Sequence, residues 1–240
     1  HISFDEGPHI YTVKGDSSFT SVTTWVHSHF DHFDADSVID NILNGRKWGS
    51  DPNYKYYQLS REQIKGMWDE KRDKASLAGT LMHYDIECYY NKMNVKNDSV
   101  EYSYFKKFVQ DYPDLKAFRT EWMVYYEEMK LSGSIDMVFE LPDGSLQIYD
   151  WKRCEEIVFE PQYQKYSHTE CIRHLPDTNF WHYSLQLNVY KTILEKKYGK
   201  TISGLYLVCL HPNQTTYDRI KVPFLDEEMN NLFEYRKTQI

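Results

Sequence analysis

The sequence predicts a mixed α/β domain, and three stretches carry that prediction. An amphipathic helical pattern covers about 74–93, a three-stranded meander covers 121–152, and a second helix over about 180–197 leads into the apolar run "GLYLVCL". Helix, antiparallel strands, helix and buried strand, in that order, build a sheet with helices layered on it. At 240 residues and 41% hydrophobic content, with 21 Tyr, the chain can bury a substantial core. One domain over 1–240 is the simplest partition.

The elements follow in chain order. "HISFDEGPHIYTVKG" reads as a short hairpin turning at Gly7-Pro8 and leaving at Gly15. "SFTSVTTWVHSHF" is a Ser/Thr-rich start that opens a helix. Residues 36–74 read as helical in pieces. They interleave Arg46, Lys47, Lys55, Arg61, Lys65, Lys71, Arg72 and Lys74 with Trp48, Tyr54, Tyr56, Tyr57 and Trp68. Such a mixture suits a strand-binding groove, where bases stack and cations meet phosphates, and equally a solvated helical face. In "KASLAGTLMHYDIECYYNKM" the spacing of Leu77, Leu81, Tyr84 and Cys88 predicts the buried face of a helix. A polar loop and a helix over 101–110 come next. The strands of 121–152 turn near Lys130 and at "PDGS", and the polar segment 155–179 resists assignment. Gly199 closes the late helix as a C′ glycine, and the tail turns helical after Pro223.

Composition excludes some functions. No apolar run approaches the ~18–20 residues of a membrane span. The formal net charge of −8 argues against coating nucleic acid non-specifically, yet a metal site built from carboxylates is itself acidic. Cys88, Cys154, Cys171 and Cys209 show no CxxC pair or zinc-ligand spacing and read as dispersed, reduced thiols. The two N-x-S/T matches, at Asn97 and Asn213, are at chance frequency. The chain opens without Met and without a charged-then-apolar leader, as an excised or trimmed domain would.

The chemistry concentrates in "LSGSIDMVFELPDGSLQIYDWK". Alternation puts Ser134, Asp136 and Val138 on one face and Ile135, Met137 and Phe139 on the other. Ile148, Asp150 and Lys152 share a face of the next strand. With the turn centred on Asp143, Asp136 stands opposite Asp150, their Cβ atoms roughly 4.5–5.5 Å apart. Two carboxylates this close repel unless a cation lies between them, and Mg²⁺ or Mn²⁺ prefers such oxygen ligands. The Trp151 carbonyl offers another ligand oxygen, and Lys152 can orient or deprotonate the attacking water. Alone, "DWK" fits an exposed meander. An Asp inside an apolar strand, room beside it at Gly133, and an Asp flanked by Tyr149 and Trp151 favour a working site.

Two helices add candidates. Gly79, His83 and Glu87 lie at i, i+4, i+8 in the first, where the imidazole can complete a metal shell or contact a phosphate and Gly79 permits close approach to the sheet or a ligand. Asp85 is expected to face solvent. Gln186 and Tyr190 lie at i, i+4 in the second, suited to hydrogen-bonding a nucleic-acid backbone or holding the lysine.

Together these residues resemble the PD-(D/E)XK nuclease superfamily, in particular its RecB-like exonuclease branch. The ordered set is Gly79–His83–Glu87, "GSID" ending in Asp136, Asp150-Trp151-Lys152, and Gln186–Tyr190. It spans roughly 76–210, and "SVTTW" resembles the lead-in of phage and mitochondrial members. The resemblance implies a restriction-endonuclease-like core, a mixed central sheet flanked by helices, with 1–75 as an N-terminal hairpin and helical extension. It implies metal ligands at His83, Asp136, Asp150 and the Trp151 carbonyl, catalysis by Lys152 with Asp136 and Asp150, and support from Gln186, Tyr190, Glu87 and Glu121. Some relatives hold an iron–sulfur cluster; the cysteine spacing here does not match, so none is expected.

The function so implied is a Mg²⁺- or Mn²⁺-dependent deoxyribonuclease, an exonuclease on single-stranded or processed DNA ends. The expected setting is intracellular, in cytoplasm, nucleus or organelle matrix or virus-encoded, with a helicase or recombination partner. Its rivals are an endonuclease of the same fold acting on DNA or RNA, and a non-catalytic nucleic-acid-binding domain. The intact Asp136, Asp150 and Lys152 set counts against the last.

Overall fold

Six strands form the sheet on which the rest of the fold is built. The computed structural model describes residues 1–161 and 163–240. It divides into two compact units, residues 1–31 with 82–240, and residues 32–81. The N-terminal hairpin lies in the larger unit.

In the larger unit, β1 (Ile2–Asp5) and β2 (Ile10–Val13) pair as the expected hairpin. β3 (Thr20–Ser21) leads into α1 (Val22–His27), whose first turn is capped by Ser21 accepting from the Thr24 amide. β4 (Lys116–Tyr126), β5 (Leu131–Glu140) and β6 (Leu146–Lys152) form the meander. β7 (Ile202–Cys209) runs parallel to β6, and β8 (Asp218–Val222) closes the far edge. β4 starts at Lys116, five residues before Glu121, and β8 has no counterpart in the sequence reading because its polar alternation is weak.

β5 is the fork of the sheet. One edge pairs with β4 from Tyr126↔Leu131 to Lys116↔Glu140. The other edge takes two partners in succession: β3 at Leu131 and Ser132, and β6 from Met137 to Glu140. Gly133 to Asp136 fall between them, so the strand opens into a cleft where the candidate residues cluster.

Helices cover both faces. α1, α6 (Asn179–Tyr198) and α7 (Asp226–Lys237) pack with Leu131, Ile135, Val138 and Ile148 in one core. The end of α4 (Arg61–Tyr90) and α5 (Val100–Asp111) pack with Met137, Phe139, Tyr149 and Trp151 in the other. Ile135 thus joins a different core from Met137 and Phe139. The simple alternation expected for β5 breaks at Asp136.

α4 begins at Arg61, well before residue 74, and it buries a different stripe from the one expected. Met82 and Ile86 are buried, whereas Leu77, Leu81 and Tyr84 are exposed; of the expected face Cys88 is buried. The 3–4 spacing was present on two stripes, and only packing chooses between them. Asp85 is half-buried and accepts from Asn97 Nδ2 at 2.6 Å, so it does not simply face solvent.

The smaller unit holds α2 (Ala35–Leu43), α3 (Arg46–Ser50) and the start of α4. Arg61 pairs with Asp36 and Asp40, Arg72 with Asp69 and Asp73, and Lys74 with Glu70. These pairs engage three of the eight basic residues in the run that suggested a strand-binding groove. Among the described residues, no helix is long and apolar enough to cross a membrane.

Candidate active site

Three acidic residues stand in one row across three adjacent strands. The flanking pairs Thr120↔Met137 and Trp122↔Ile135 set Glu121 opposite Asp136. The register Met137↔Tyr149 carries Asp136 opposite Asp150, as the turn at Asp143 predicted. The regular ladder is interrupted in this row. Glu121 has φ +40°, a left-handed conformation that an L side chain adopts at a cost of roughly 1–3 kcal/mol. Its carboxylate accepts from Ser134 Oγ at 3.0 Å. Asp136 uses its carboxylate in place of a strand partner, accepting from the Trp151 amide at 2.9 Å.

His83 reaches this row from α4. Its Nε2 lies 2.8 Å from the Trp151 carbonyl oxygen. A carbonyl only accepts, so Nε2 carries the proton and Nδ1 faces the acids. Nδ1 is 3.6 Å from Asp136 Oδ2 and 3.9 Å from Glu121 Oε1. Burial opposes a charged imidazole here, but Asp136 and Glu121 outweigh it and raise the His83 pKa to about 9. Burial, followed by the Asp150 charge, pushes Asp136 up to about 7 against the opposing pull of His83. Glu87, one turn further along α4, is also raised, by burial and then by Glu121.

Asp150 and Lys152 form the other half. Asp150 is 3% exposed, and its Oδ2 lies 2.7 Å from Lys152 Nζ, an ion pair without the alignment of a hydrogen bond. The ammonium also sits 4.4 Å from the centre of the Tyr183 ring. Burial disfavours the charge on Lys152, but Asp150 and Asp136 more than compensate and raise its pKa. The neighbouring carboxylates thus favour the ammonium form of Lys152, suited to orientation and charge stabilisation.

Tyr190 lies buried on α6; burial raises its pKa, and Gln186, one turn before it, opposes that shift. A Cβ on Gly133 would fall 2.5 Å from the Tyr190 hydroxyl oxygen, so the glycine admits the ring to the cleft. At Gly79 a Cβ would meet nothing within 4 Å.

The donors sort differently from the sequence expectation. His83, Glu121 and Asp136 each offer one ligand atom within 4.8 Å of one another, a half-buried N/O set suited to a divalent cation. Burial, with the Asp150 charge nearby, raises Asp136 to about 7, and a cation at the row would relieve that cost. Glu121, expected only as a helper, stands within this group. Asp150, expected as a direct ligand, is engaged with Lys152, and the Trp151 carbonyl accepts from His83.

Two further side chains stand at the site without any mark in the sequence pattern. Tyr11 reaches the row from β2; burial raises its pKa to about 12, with Glu121 and Asp136 contributing and the Ser134 amide opposing. Tyr183 supplies the ring beneath Lys152. A hairpin Tyr and a helical Tyr among 21 carry no spacing that marks them. Arg153 pairs with Glu101 on α5 at 2.7 Å and anchors the end of β6.

No family model and no curated protein matches the chain. Among solved structures, it is similar to the "Putative exonuclease" from Eubacterium rectale at 14% identity and a TM-score of 0.43. That match covers 67% of this chain and 64% of the other. It is similar to SSO0001 at 12% identity and a TM-score of 0.37, covering 95% of this chain and 78% of the other. Likenesses this distant bear on neither residues nor activity.

Proposed function

We propose that the protein is a metal-dependent DNA nuclease hydrolysing phosphodiester bonds, acting as an exonuclease on single-stranded or processed ends. The observation that carries this reading is the row of Glu121, Asp136 and Asp150 across the fork of the sheet, with His83 at one end and Lys152 at the other. The order and spacing of the nuclease-like motifs in the sequence support it, and they are the basis for favouring DNA.

Asp136, Glu121 and the Nδ1 of His83 would hold Mg²⁺ or Mn²⁺, with Asp150 and the Trp151 carbonyl close by. Bound there, the ion supplies charge compensation for the carboxylates and Lewis-acid stabilisation of phosphate oxygens. The Trp151 carbonyl fixes the imidazole so that Nδ1 faces the acids. Asp150 holds the Lys152 ammonium in place, from which it hydrogen-bonds a phosphate oxygen as negative charge grows in the transition state. The Tyr183 ring restricts Lys152 from the other side. The buried Tyr190 braces the cleft beside Gly133, and the half-buried Gln186 would support the site or the incoming strand. The cellular setting inside a host cell, and any helicase or recombination partner, belong to the same proposal.

End-labelled linear DNA and circular DNA, each incubated with Mn²⁺ and with chelator, test it. Progressive shortening of the linear substrate, an intact circle and dependence on metal are expected. Cutting of the circle, or of RNA in preference to DNA, transfers the reading to an endonuclease of the same fold. No degradation of either nucleic acid with metal present ends the nuclease reading.

A further inference from the structure

The four cysteines do not stay as dispersed as their positions in the sequence. Cys154 and Cys209, 55 residues apart, have their sulfurs 3.3 Å from each other, and both are free thiols. Cys209 sits on β7 directly beside Lys152 in the parallel ladder. Cys154 follows Lys152 by two residues, just past the end of β6. The Cys209 thiol also lies 3.1 Å from the Cys154 carbonyl, and Gln214 Nε2 is 3.3 Å from the Cys209 sulfur. Cys209 is fully buried and Cys154 half-buried. The sulfurs need to approach by little more than about 1 Å to reach the S–S bond length of about 2.05 Å.

We propose that Cys154 and Cys209 form a reversible disulfide that repositions Lys152. The sulfur-to-sulfur contact supports this: it lowers the Cys209 thiol toward about 7 and holds the proton on Cys154, whose thiol it raises. A small-molecule disulfide such as oxidised glutathione is the oxidant. Cys154, the accessible sulfur, passes its proton to Cys209 across the 3.3 Å contact and attacks the oxidised glutathione, forming a mixed disulfide and releasing one glutathione thiolate. Cys209 then attacks the Cys154 sulfur, and the second glutathione thiolate leaves. The two protein protons end on the two glutathione thiols, so the pair loses two electrons and the oxidant gains them.

The bond joins the residue beside Lys152 on β7 to the chain two residues beyond it. Arg153, between them, is fixed by Glu101, and the Lys152 carbonyl accepts from the Leu210 amide at 2.7 Å. Contraction between the sulfurs therefore strains the segment that aims Lys152 at Asp150. The effect on turnover rests on the nuclease reading; the disulfide itself does not.

The test equilibrates the protein with oxidised glutathione under native conditions, alkylates it and maps its peptides by mass. A Cys154–Cys209 cross-linked peptide lighter by two hydrogen atoms is expected, with Cys88 and Cys171 alkylated and dithiothreitol reversing the change. DNA degradation by the oxidised protein falls by at least roughly tenfold. Cys154→Ser keeps its activity in the same oxidant, and Cys209→Ala accumulates glutathione on Cys154. Full alkylation of Cys154 and Cys209 after oxidation overturns the proposal. A disulfide formed with turnover unchanged overturns the link to Lys152. A protein inactive in both redox states sinks the nuclease reading and leaves the mass measurement to decide the disulfide.

Discussion

Gly133→Ala inserts one methyl group into the fork of the sheet. An ideal Cβ there meets the Tyr190 hydroxyl oxygen at 2.5 Å, Cε1 at 2.9 Å and Cζ at 3.1 Å. Separations under 3.0 Å are not tolerated, so either the ring or the strand must move. Tyr190 is 2% exposed on α6 and has little room to retreat. Overpacking of this kind costs about 1–3 kcal/mol, and in a chain of this size each kcal/mol lowers Tm by about 2–4 °C. The same displacement moves the Tyr190 hydroxyl, so DNA degradation falls along with stability. Thermal melts and denaturant titrations of the single and double variants measure both parts. Tyr190→Phe removes the atom of the closest contact, so Gly133→Ala in that background is expected to cost less than in the parent. The reasoning fails if Gly133→Ala is as stable as the parent, or if the two substitutions are strictly additive.

Three other expectations are independent of that one. With metal absent, stability declines as pH rises. Asp136, raised to about 7, releases its folded-state proton later than the unfolded chain does, and His83 contributes stability below pH 6.5 that is lost as pH passes about 9. Mn²⁺ replaces the proton, so stability above pH 8 recovers on its addition and proton release accompanies binding; calorimetry in buffers of different ionisation enthalpy detects it. Lys152→Ala removes the ammonium from a buried Asp150, costing roughly 3–5 kcal/mol of stability. Turnover falls about 10²–10³-fold in addition, as assayed under conditions where the variant remains folded. Tyr11→Phe keeps the ring and removes only the hydroxyl beside Glu121 and Asp136; a changed pH profile of DNA degradation with an unchanged melting temperature is expected, and an unchanged profile removes Tyr11 from the site.

Much of the frame was legible because its signals are local. α6 was expected over 180–197 and runs Asn179–Tyr198, closed at Gly199 with φ +61°. The register that opposes Asp136 and Asp150 followed from counting residues about one turn. The misses have long-range causes. α4 carries apolar residues on more than one stripe, and the choice of Met82 and Ile86 over Leu77 and Leu81 depends on the sheet it meets. Glu121 entered the donor group through a left-handed backbone inside a strand, which no property of glutamate announces. Cys154 and Cys209 are brought together by the parallel pairing of β6 and β7, a crossover whose register no spacing in the sequence encodes.

The central claim is that the acidic row at the fork of the sheet holds a divalent cation. Crystals soaked in Mn²⁺ and measured at the manganese absorption edge test it most directly. The account predicts an anomalous peak in contact with the Asp136 carboxylate and bordered by His83 Nδ1 and Glu121, absent from Asp136→Asn crystals treated identically. A peak elsewhere on the protein, or no peak while Asp136, Glu121 and His83 keep the same arrangement, contradicts it.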